Sequence, residues 1–390
     1  MLALTNGVIV TEQELLHDHV VLIDGTTIHG IFHASKVNLD GMEIIDANGG
    51  YIAPGFVDIH SDYIETIVSP RPTSVMSMKV GLRESERILM THGITTIFHS
   101  LSYYGDDKYS HKAIRNPENV QRCIDAIHDT HTAQHLIRHR LHARFEIDSI
   151  DQMPTLEQNI HDGKVHLLSF MDHTPGQGQY RNLEIYKEIM RGYRTLSDQE
   201  ATVLIEEQAQ KEKMSFDDIE RLSKLAISKN IAVASHDDDD IAKLQLVQSY
   251  GTTISEFPIT LDVAKEAKKM GMYTIAGAPN ILNGGSHSGN LSASEAIQAR
   301  VIDIICSDYY PPAMLLGIFE LATKYDEDLH RLFQLVTLNP ARAVNMDDEI
   351  GSIAAGKKAD ILIIEQMNDG YPVVTSTIVD GNVIMQTNYR

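Results

Sequence analysis

Short apolar segments alternate with amphipathic, helix-forming segments through the middle of this 390-residue chain. Such alternation is typical of a parallel β-sheet whose strands are joined by helices. The candidate strands are residues 52–59, 94–98, 141–147, 165–171, 231–235, 252–257, 272–276 and 301–306. Eight strand–helix units over roughly 300 residues predict an α/β fold, a (β/α)8 barrel in which chemistry takes place at the carboxyl ends of the strands.

Both ends of the chain are instead rich in short strands separated by turns. These are Val8–Val10, Val20–Ile23, Thr27–Ile31 and Met42–Asp46 at one end, and Ile361–Ile364, Val373–Val374 and Val383–Met385 at the other. We predict one small β-sandwich domain built from residues 1–53 and 350–390, around a barrel of residues 54–349. The Val, Ile and Thr residues on both sides of Asn6-Gly7 predict a β-hairpin over residues 1–10.

Composition limits the classes of partner. The formal net charge is −21, from 33 basic and 54 acidic residues, which disfavours nucleic acid and anionic membranes. A small anionic substrate is compatible, because metal ions and a few local cations reverse the field in one pocket. The start of the chain does not resemble a signal peptide, and two cysteines are too few for a disulfide framework. We therefore expect a cytoplasmic protein.

The largest insertion in the barrel pattern spans residues 176–226, which begin with glycines and then become charged and helix-forming. Two roles are open for this insertion. It is a candidate lid over the barrel, and it is a candidate contact surface for a homodimer.

Polar residues recur at the predicted strand ends. His60 and Asp62 follow the first strand two residues apart, so strand alternation predicts that they share a face. Imidazoles and carboxylates converging from several strands predict a divalent metal site, with two ions if a carboxylate bridges them. The candidate ligands are His60, Asp62, Glu146, His173, His236 and Asp308, with Asp172 and Asp237 adjacent.

Each candidate also fits a structural role. A single histidine is more often hydrogen-bonded in a core, and Glu146 alone could pair with Arg140 or Arg144. In residues 237–240, a run of four aspartates, we expect mostly a solvated helix start. Asp308, the last of the set, is the candidate catalytic residue that orients and deprotonates a water molecule.

A second polar cluster follows the seventh strand, in residues 278–290. Barrels often hold phosphate in the loops after strands seven and eight, and glycines let backbone N–H groups approach a ligand. An ordinary loop fits equally well. Arg71, in a proline-flanked turn, is a candidate phosphate clamp. The candidate substrate-binding residues are Arg71, Asn280, Gly284, Gly285, Ser286, His287 and Tyr309.

Five histidines recur at three- and four-residue spacing, as on one helix face. They are His128, His131, His135, His139 and His142. No carboxylate recurs at the same spacing, and His142 already falls in the predicted strand 141–147. We therefore expect a solvated or partly packed stripe rather than a second metal site.

Residues 52–60 and 351–361 resemble the amidohydrolase superfamily, and the resemblance extends over the whole chain. It implies a metal-dependent barrel with a β-sandwich formed by both termini. Most members carry His-x-His on the first strand, and many carry a bridging lysine. This chain has His60-x-Asp62 and, in our interpretation, Glu146.

Several stretches are similar to a narrower family, the diphosphatases of the carbon–phosphorus lyase pathway for phosphonate use. They are residues 66–72, 139–146, 169–177, 234–238, 277–290 and 307–311. This resemblance implies hydrolysis of α-D-ribose 1-methylphosphonate 5-triphosphate to the 5-phosphate and pyrophosphate. It also implies one or two divalent ions, Zn²⁺ first, with Mn²⁺, Co²⁺ or Ni²⁺ as alternatives. Two other functions stay open: hydrolysis of an amide or cyclic amide, and a non-catalytic scaffold.

Overall fold

The structure is a computed structural model that describes residues 1–105, 112–174, 205–206, 210–285 and 290–389. The strands of this part of the chain are β1 (Leu2–Thr5), β2 (Val8–Val10), β3 (Leu15–Leu16), β4 (His19–Asp24), β5 (Thr27–His33), β6 (Glu43–Asp46), β7 (Tyr51–Pro54), β8 (Phe56–Ser61), β9 (Ile94–Tyr103), β10 (Arg138–Glu146), β11 (Leu167–Met171), β12 (Ala232–His236), β13 (Ile254–Glu256), β14 (Tyr273–Gly277), β15 (Ile304–Cys306), β16 (Ile361–Gln366), β17 (Pro372–Val379) and β18 (Asn382–Gln386).

The α-helices of the same residues lie between and after the barrel strands. They are α1 (Tyr63–Val68), α2 (Met78–Leu89), α3 (Pro117–Asp129), α4 (Met153–His161), α5 (Phe216–Ser228), α6 (Ile241–Ser249), α7 (Leu261–Lys269), α8 (Ala278–Leu282), α9 (Ala293–Gln298), α10 (Ala313–Tyr325), α11 (Leu329–Gln334) and α12 (Leu338–Ala343). Polar side chains accept hydrogen bonds from the first-turn N–H groups of several helices, as Asn116 does for α3 and Ser215 for α5. Such caps fix where a helix begins after a strand and loop.

Strands β8 to β15 form one parallel sheet in chain order. Ser61, the last residue of β8, forms a β-bridge with Asp308, just after β15, and so joins the two edges of the sheet. The predicted (β/α)8 barrel is therefore confirmed, and each of the eight predicted segments overlaps one barrel strand. Leu101, Leu141 and Phe145 pack outward against helical residues such as Ile124 and Leu222, which holds the strand ends in place.

The first predicted strand, 52–59, is wrong as a single element. Residues 51–54 form β7, which pairs with β16 and β2 outside the barrel, and β8 begins at Phe56. Gly55 separates them and donates its N–H to the Asp360 carbonyl. A Cβ on Gly55 would lie 2.2 Å from Thr95 Oγ1. The chain can therefore change sheets here only because this residue has no side chain.

Two further sheets carry the termini, with orders β5-β4-β1-β6 and β18-β17-β16-β7-β2-β3. Buried side chains from both sheets, such as Leu4 and Val21 with Ile52 and Ile361, share one apolar layer. That arrangement matches the expected β-structure built from both ends. The domain boundaries at residues 53/54 and 349/350 stay predictions.

The predicted hairpin over residues 1–10 is wrong. Strand β1 pairs with β4 and β6, whereas β2 pairs with β7 and β3 in the other sheet. Asn6 adopts a left-handed backbone conformation, with φ of 53°. Thr5 and Asn6 carbonyls accept N–H groups from Ala47 and Gly49 rather than from β2. The Asn-Gly turn therefore sends the chain from one sheet to the other.

The histidine stripe does not form one helix face. His128 lies in the last turn of α3, which ends at Asp129, and His139 and His142 lie on strand β10. Both strand histidines are buried rather than solvated or partly packed, whereas the strand position of His142 was predicted, because it lies in the segment 141–147.

Most of the predicted insertion, 176–226, lies outside the described residues, and so do its candidate roles as lid or homodimer contact. Its described end contains the first part of α5. Among the residues that the structure describes, no helix combines the length and the apolar character needed to cross a membrane.

Candidate active site

A cavity of about 750 Å³ opens at the carboxyl ends of the barrel strands, where catalytic residues of such barrels lie. The predicted site residues that line it are His60, Asp62, Arg71, His173, His236, Asn280, Gly285, Asp308 and Tyr309. Glu146 and Gly284 are not part of its wall. Ser286 and His287 lie outside the described residues.

The first group of potential metal ligands joins three buried residues, His60, His236 and Glu256. One ligand atom from each lies within 4.8 Å of the others, and His60 Nδ1 is 2.9 Å from Glu256 Oε1. Burial lowers the pKa of His60 well below its ordinary range, and the positive charge of Arg144 adds to this. His60 is therefore a neutral imidazole, which is the form that binds metals.

Glu256 was not among the sequence-predicted ligands. It is the last residue of β13 and completely buried, within the segment predicted as the sixth strand. Glu256 could have been found from the sequence, because it is a carboxylate at the end of a predicted barrel strand. Glu146 was selected for the same reason.

The second group of potential ligands joins His173, His236 and Asp237, again with ligand atoms within 4.8 Å. His236 Nδ1 lies 2.9 Å from Asp237 Oδ2. Glu146 is hydrogen-bonded to His173 Nδ1 and thus orients that ring from outside the group. His236 belongs to both groups, but a neutral imidazole has one lone pair, so it binds through one nitrogen at a time.

The aspartate run of residues 237–240 differs from the prediction of a mostly solvated helix start. Asp237 and Asp238 are buried, and Asp238 accepts a hydrogen bond from Ser235 at 2.6 Å. Only Asp240 caps helix α6, accepting the N–H of Lys243. The positive φ of Asp237, 52°, turns the chain so that its carboxylate points back towards His236.

These two groups fit a divalent cation. Within the described residues, Glu256 Oε2 is buried and has no hydrogen-bond partner, and the adjacent buried atoms His236 Nδ1 and Asp237 Oδ2 are close but do not form a hydrogen bond of normal geometry. Leaving such atoms unpaired is costly, and a cation would satisfy them. Burial lowers the pKa of His173, but Glu146 and Asp237 outweigh it and raise that pKa to about 10. A proton on His173 thus supplies positive charge that a metal ion would replace.

Asp62 and Asp308 lie beside these groups rather than in them. Strand β8 ends at Ser61, so alternation does not extend to Asp62, which precedes helix α1 and lies 3.8 Å from Arg115 Nη2. Asp308 donates its N–H to the His60 carbonyl, and its own carbonyl accepts the N–H of Asp62. Burial, followed by the negative charge of Asp62, raises the pKa of Asp308 to about 7.

In the described part of the loop after β14, residues 278–285, the predicted donors already have backbone partners. Residues 278–282 form helix α8, and its carbonyls accept the N–H groups of Gly284 and Gly285, at 3.1 and 3.0 Å. The Asn280 amide is bonded to the backbone of Leu291 and Ala293. These glycine N–H groups are thus used by the helix end, and their contact with a phosphate stays a prediction, as do the contacts of Ser286 and His287.

Among the residues that the structure describes, four cationic side chains line the cavity: Arg71, Lys112, Arg115 and Arg144. Arg71 is exposed at the rim, as is Tyr309. Arg115 is held by Glu65, with Nε 2.9 Å from Oε2, and lies over the Tyr104 ring. Of these cations only Arg71 was predicted, because the others come from segments with no phosphate-binding motif. Four carboxyl groups of described residues line the same cavity, those of Asp62, Glu65, Asp237 and Asp308, so its wall carries both signs of charge in a chain of net charge −21.

Comparisons with known proteins agree with this architecture. The sequence model of the amidohydrolase family matches residues 51–384. The chain belongs to the amidohydrolase family. A second model, the NagA composite domain, matches residues 1–52. The amidohydrolase match confirms the resemblance seen in the sequence. The protein is therefore a hydrolase of a family that typically binds divalent metal ions.

Among curated relatives, the α-D-ribose 1-methylphosphonate 5-triphosphate diphosphatase of Escherichia coli K12 is 35% identical over 331 residues, 84% of this amidohydrolase and 86% of the relative. An adenine deaminase of Clostridium botulinum strain Loch Maree is 29% identical over 121 residues, 30% of this chain and 20% of that protein.

Two solved structures share the fold at low identity. N-acetylglucosamine-6-phosphate deacetylase from Pasteurella multocida has a TM-score of 0.63 at 15% identity, covering 98% of this amidohydrolase and 99% of that chain. A 5-methylcytosine deaminase from Klebsiella pneumoniae has a TM-score of 0.65 at 18% identity, covering 100% and 99%.

Proposed function

We propose that this amidohydrolase hydrolyses α-D-ribose 1-methylphosphonate 5-triphosphate to the 5-phosphate and pyrophosphate, in a cytoplasmic pathway of phosphonate use. The observation that carries the proposal is that, among the described residues, four cationic side chains line the same cavity as two groups of metal-ligand atoms. A triphosphate needs this combination, whereas a neutral amide does not. The 35% identical diphosphatase supports the same substrate.

His60, His236 and Glu256, with His173 and Asp237, are the residues that would hold one or two divalent ions, Zn²⁺ first. Such ions lower the pKa of a water molecule and neutralise phosphate oxygens. Asp62, Glu146 and Asp308 remain proposed ligands: Asp62 and Asp308 line the same cavity, and Glu146 is hydrogen-bonded to His173.

In the proposed reaction, a water oxygen forms a bond to a phosphorus atom of the triphosphate. The bond from that phosphorus to the bridging oxygen breaks, and pyrophosphate leaves with the electron pair. Asp308 accepts the proton of the water, because its carboxyl group lies in the cavity wall beside the ligand groups. Arg71 and Arg115 hold the outer phosphates and reduce the charge repulsion that opposes attack on a polyanion.

The test is pyrophosphate release from this triphosphate by chelated protein, before and after addition of Zn²⁺, Mn²⁺, Co²⁺ or Ni²⁺. ATP and an N-acyl amino acid serve as comparison substrates. We expect metal-restored release that strongly favours the phosphonate. Asp308→Asn and His236→Ala should each lower kcat/KM at least about 100-fold, whereas the control Asp40→Asn, in an exposed turn, should not.

Other outcomes would refute the proposal. Turnover of the N-acyl amino acid alone would make the protein an amide hydrolase with the same metal site. No turnover of any substrate, in a protein that gains nothing from added metal, would favour a non-catalytic scaffold.

A further inference from the structure

Arg144 lies near the carboxyl end of strand β10 and lines the cavity beside the metal-ligand groups. Strand alternation places it on the same face as His142 and Glu146. Its Nη2 donates to His236 Nε2 at 3.2 Å. Arg144 is therefore a cation in contact with a residue that belongs to both ligand groups.

Some N–H donors of the Arg144 guanidinium form no hydrogen bond with the described residues. Its Nε is buried and has no hydrogen-bond partner among the described residues, and no described carboxylate lies within 4.0 Å of it. Other buried or half-buried arginines of the barrel differ: Arg115 is paired with Glu65, and Arg138 with Asp360 and Asp380. An arginine keeps its charge in proteins and carries five N–H donors. Burying Arg144 therefore costs free energy unless a ligand accepts hydrogen bonds from the unused donors.

The hydrogen bond to His236 does not offset the free-energy cost of burying Arg144. A nitrogen that accepts a hydrogen bond from Arg144 cannot give the same lone pair to a metal ion. If His236 bound a cation through Nε2, its lone pair would be used there; if it bound through Nδ1, Nε2 would carry the proton. In either case Arg144 would lose this acceptor. Carboxylates farther away, those of Asp62 and Glu256, keep the charge favourable without occupying the donors.

We propose that Arg144 binds the non-bridging oxygens of the phosphoryl group that is attacked, and that it selects phosphoanhydrides over amides. The inference rests on the proposed function and assigns a substrate contact within it. A guanidinium offers two parallel N–H groups that match two phosphoryl oxygens. An amide has one carbonyl oxygen with no full charge and gains much less from this contact.

The experiment compares Arg144→Met, which removes the charge, with Arg144→Lys, which keeps the charge but loses the paired donors. Arg122→Met, on the exposed face of α3, is the control. We expect kcat/KM for the triphosphate to fall about 100- to 1000-fold in Arg144→Met and less in Arg144→Lys. Added guanidinium ion should partly rescue Arg144→Met alone. The control should stay within about 3-fold of wild type.

Two readouts separate substrate binding from structural support: bound metal per protein, and the affinity for inorganic tripolyphosphate by calorimetry. We expect unchanged metal content and a tripolyphosphate affinity at least about 10-fold weaker in Arg144→Met. Loss of metal in that variant, or kcat/KM and affinity within about 3-fold of wild type, would overturn the inference.

The same readouts distinguish this inference from the proposed function. If wild type does not cleave the triphosphate but tripolyphosphate binding still depends on Arg144, the reaction is wrong and the anion-binding role stands. If wild type cleaves it and Arg144→Met behaves like wild type, the reaction stands and the role of Arg144 is wrong.

Discussion

Replacing Glu86 by glutamine should destabilise the protein by about 3 kcal/mol at neutral pH, and by less as the solution is acidified. Glu86 lies in α2, packed against the outside of the barrel, and only 2% of it is exposed. Its carboxylate accepts hydrogen bonds from Leu136 N–H at 2.7 Å, Arg83 Nη1 at 2.9 Å and His139 Nε2 at 3.2 Å. Glutamine keeps the shape but not the charge.

The magnitude follows from the pKa of Glu86. Burial alone would raise it, but the hydrogen bonds from His139, Leu136 and Arg83 lower the pKa from 4.5 to about 2. A carboxyl group whose pKa falls this far on folding adds about 3 kcal/mol to the free energy of unfolding at neutral pH. Because the folded pKa is the lower one, the contribution is complete above pH 4.5 and disappears as the pH falls towards 2.

The assay is urea unfolding followed by circular dichroism, for wild type and Glu86→Gln. The difference in unfolding free energy should be about 3 kcal/mol at pH 6.5 and about 2 kcal/mol at pH 3.5. The matched control is Glu84→Gln, in the same helix with its side chain 54% exposed, which should change stability by less than about 0.5 kcal/mol. A Glu86→Gln difference that does not vary with pH would refute the reasoning, since packing rather than ionisation would then be responsible.

Three further predictions concern a buried ion pair, the residue at which the chain changes sheets, and the metal. Arg138→Met leaves the buried Asp360 carboxylate without its cation and should cost about 3–5 kcal/mol in urea unfolding; an unchanged midpoint would contradict this. Gly55→Ala should cost about 1–3 kcal/mol, because the new Cβ meets Thr95, and adding Thr95→Ala should recover part of the loss. Dialysis against a chelator should lower the melting temperature, and Zn²⁺ should restore it; equal melting temperatures would argue against a resident metal.

The barrel was predictable because its signal is local. Each strand segment carries its own apolar pattern, so the order of strands follows from their order in the chain. The errors occur where a segment leaves one sheet for another. Nothing in residues 51–59 shows that Tyr51–Pro54 pairs with β16, more than 300 residues later, because that choice depends on long-range pairing. Asn6-Gly7 has the composition of a hairpin turn, yet β1 pairs with β4 and β6 and β2 pairs with β7 and β3.

The histidine stripe shows the limit of spacing as evidence. A three- and four-residue period indicates a helix face only if the helix continues, and α3 ends at Asp129. His139 and His142 then lie three apart on a strand, so they point to opposite faces. His139 meets Glu86 outside the barrel, and His142 lies beside Glu256 inside it.

The candidate site was predictable as a set of strand ends but not as a set of touching atoms. His60, His173 and His236 converge because parallel strands end at one rim. Asp62 lies one residue beyond its strand, so a helix start rather than the strand pleat decides its direction. Strand alternation from Glu146 places Arg144 on the same inner face, two residues earlier. In our proposal this arginine is the position that distinguishes a phosphoanhydride from a neutral amide, because only the phosphoanhydride offers charged oxygens to its guanidinium.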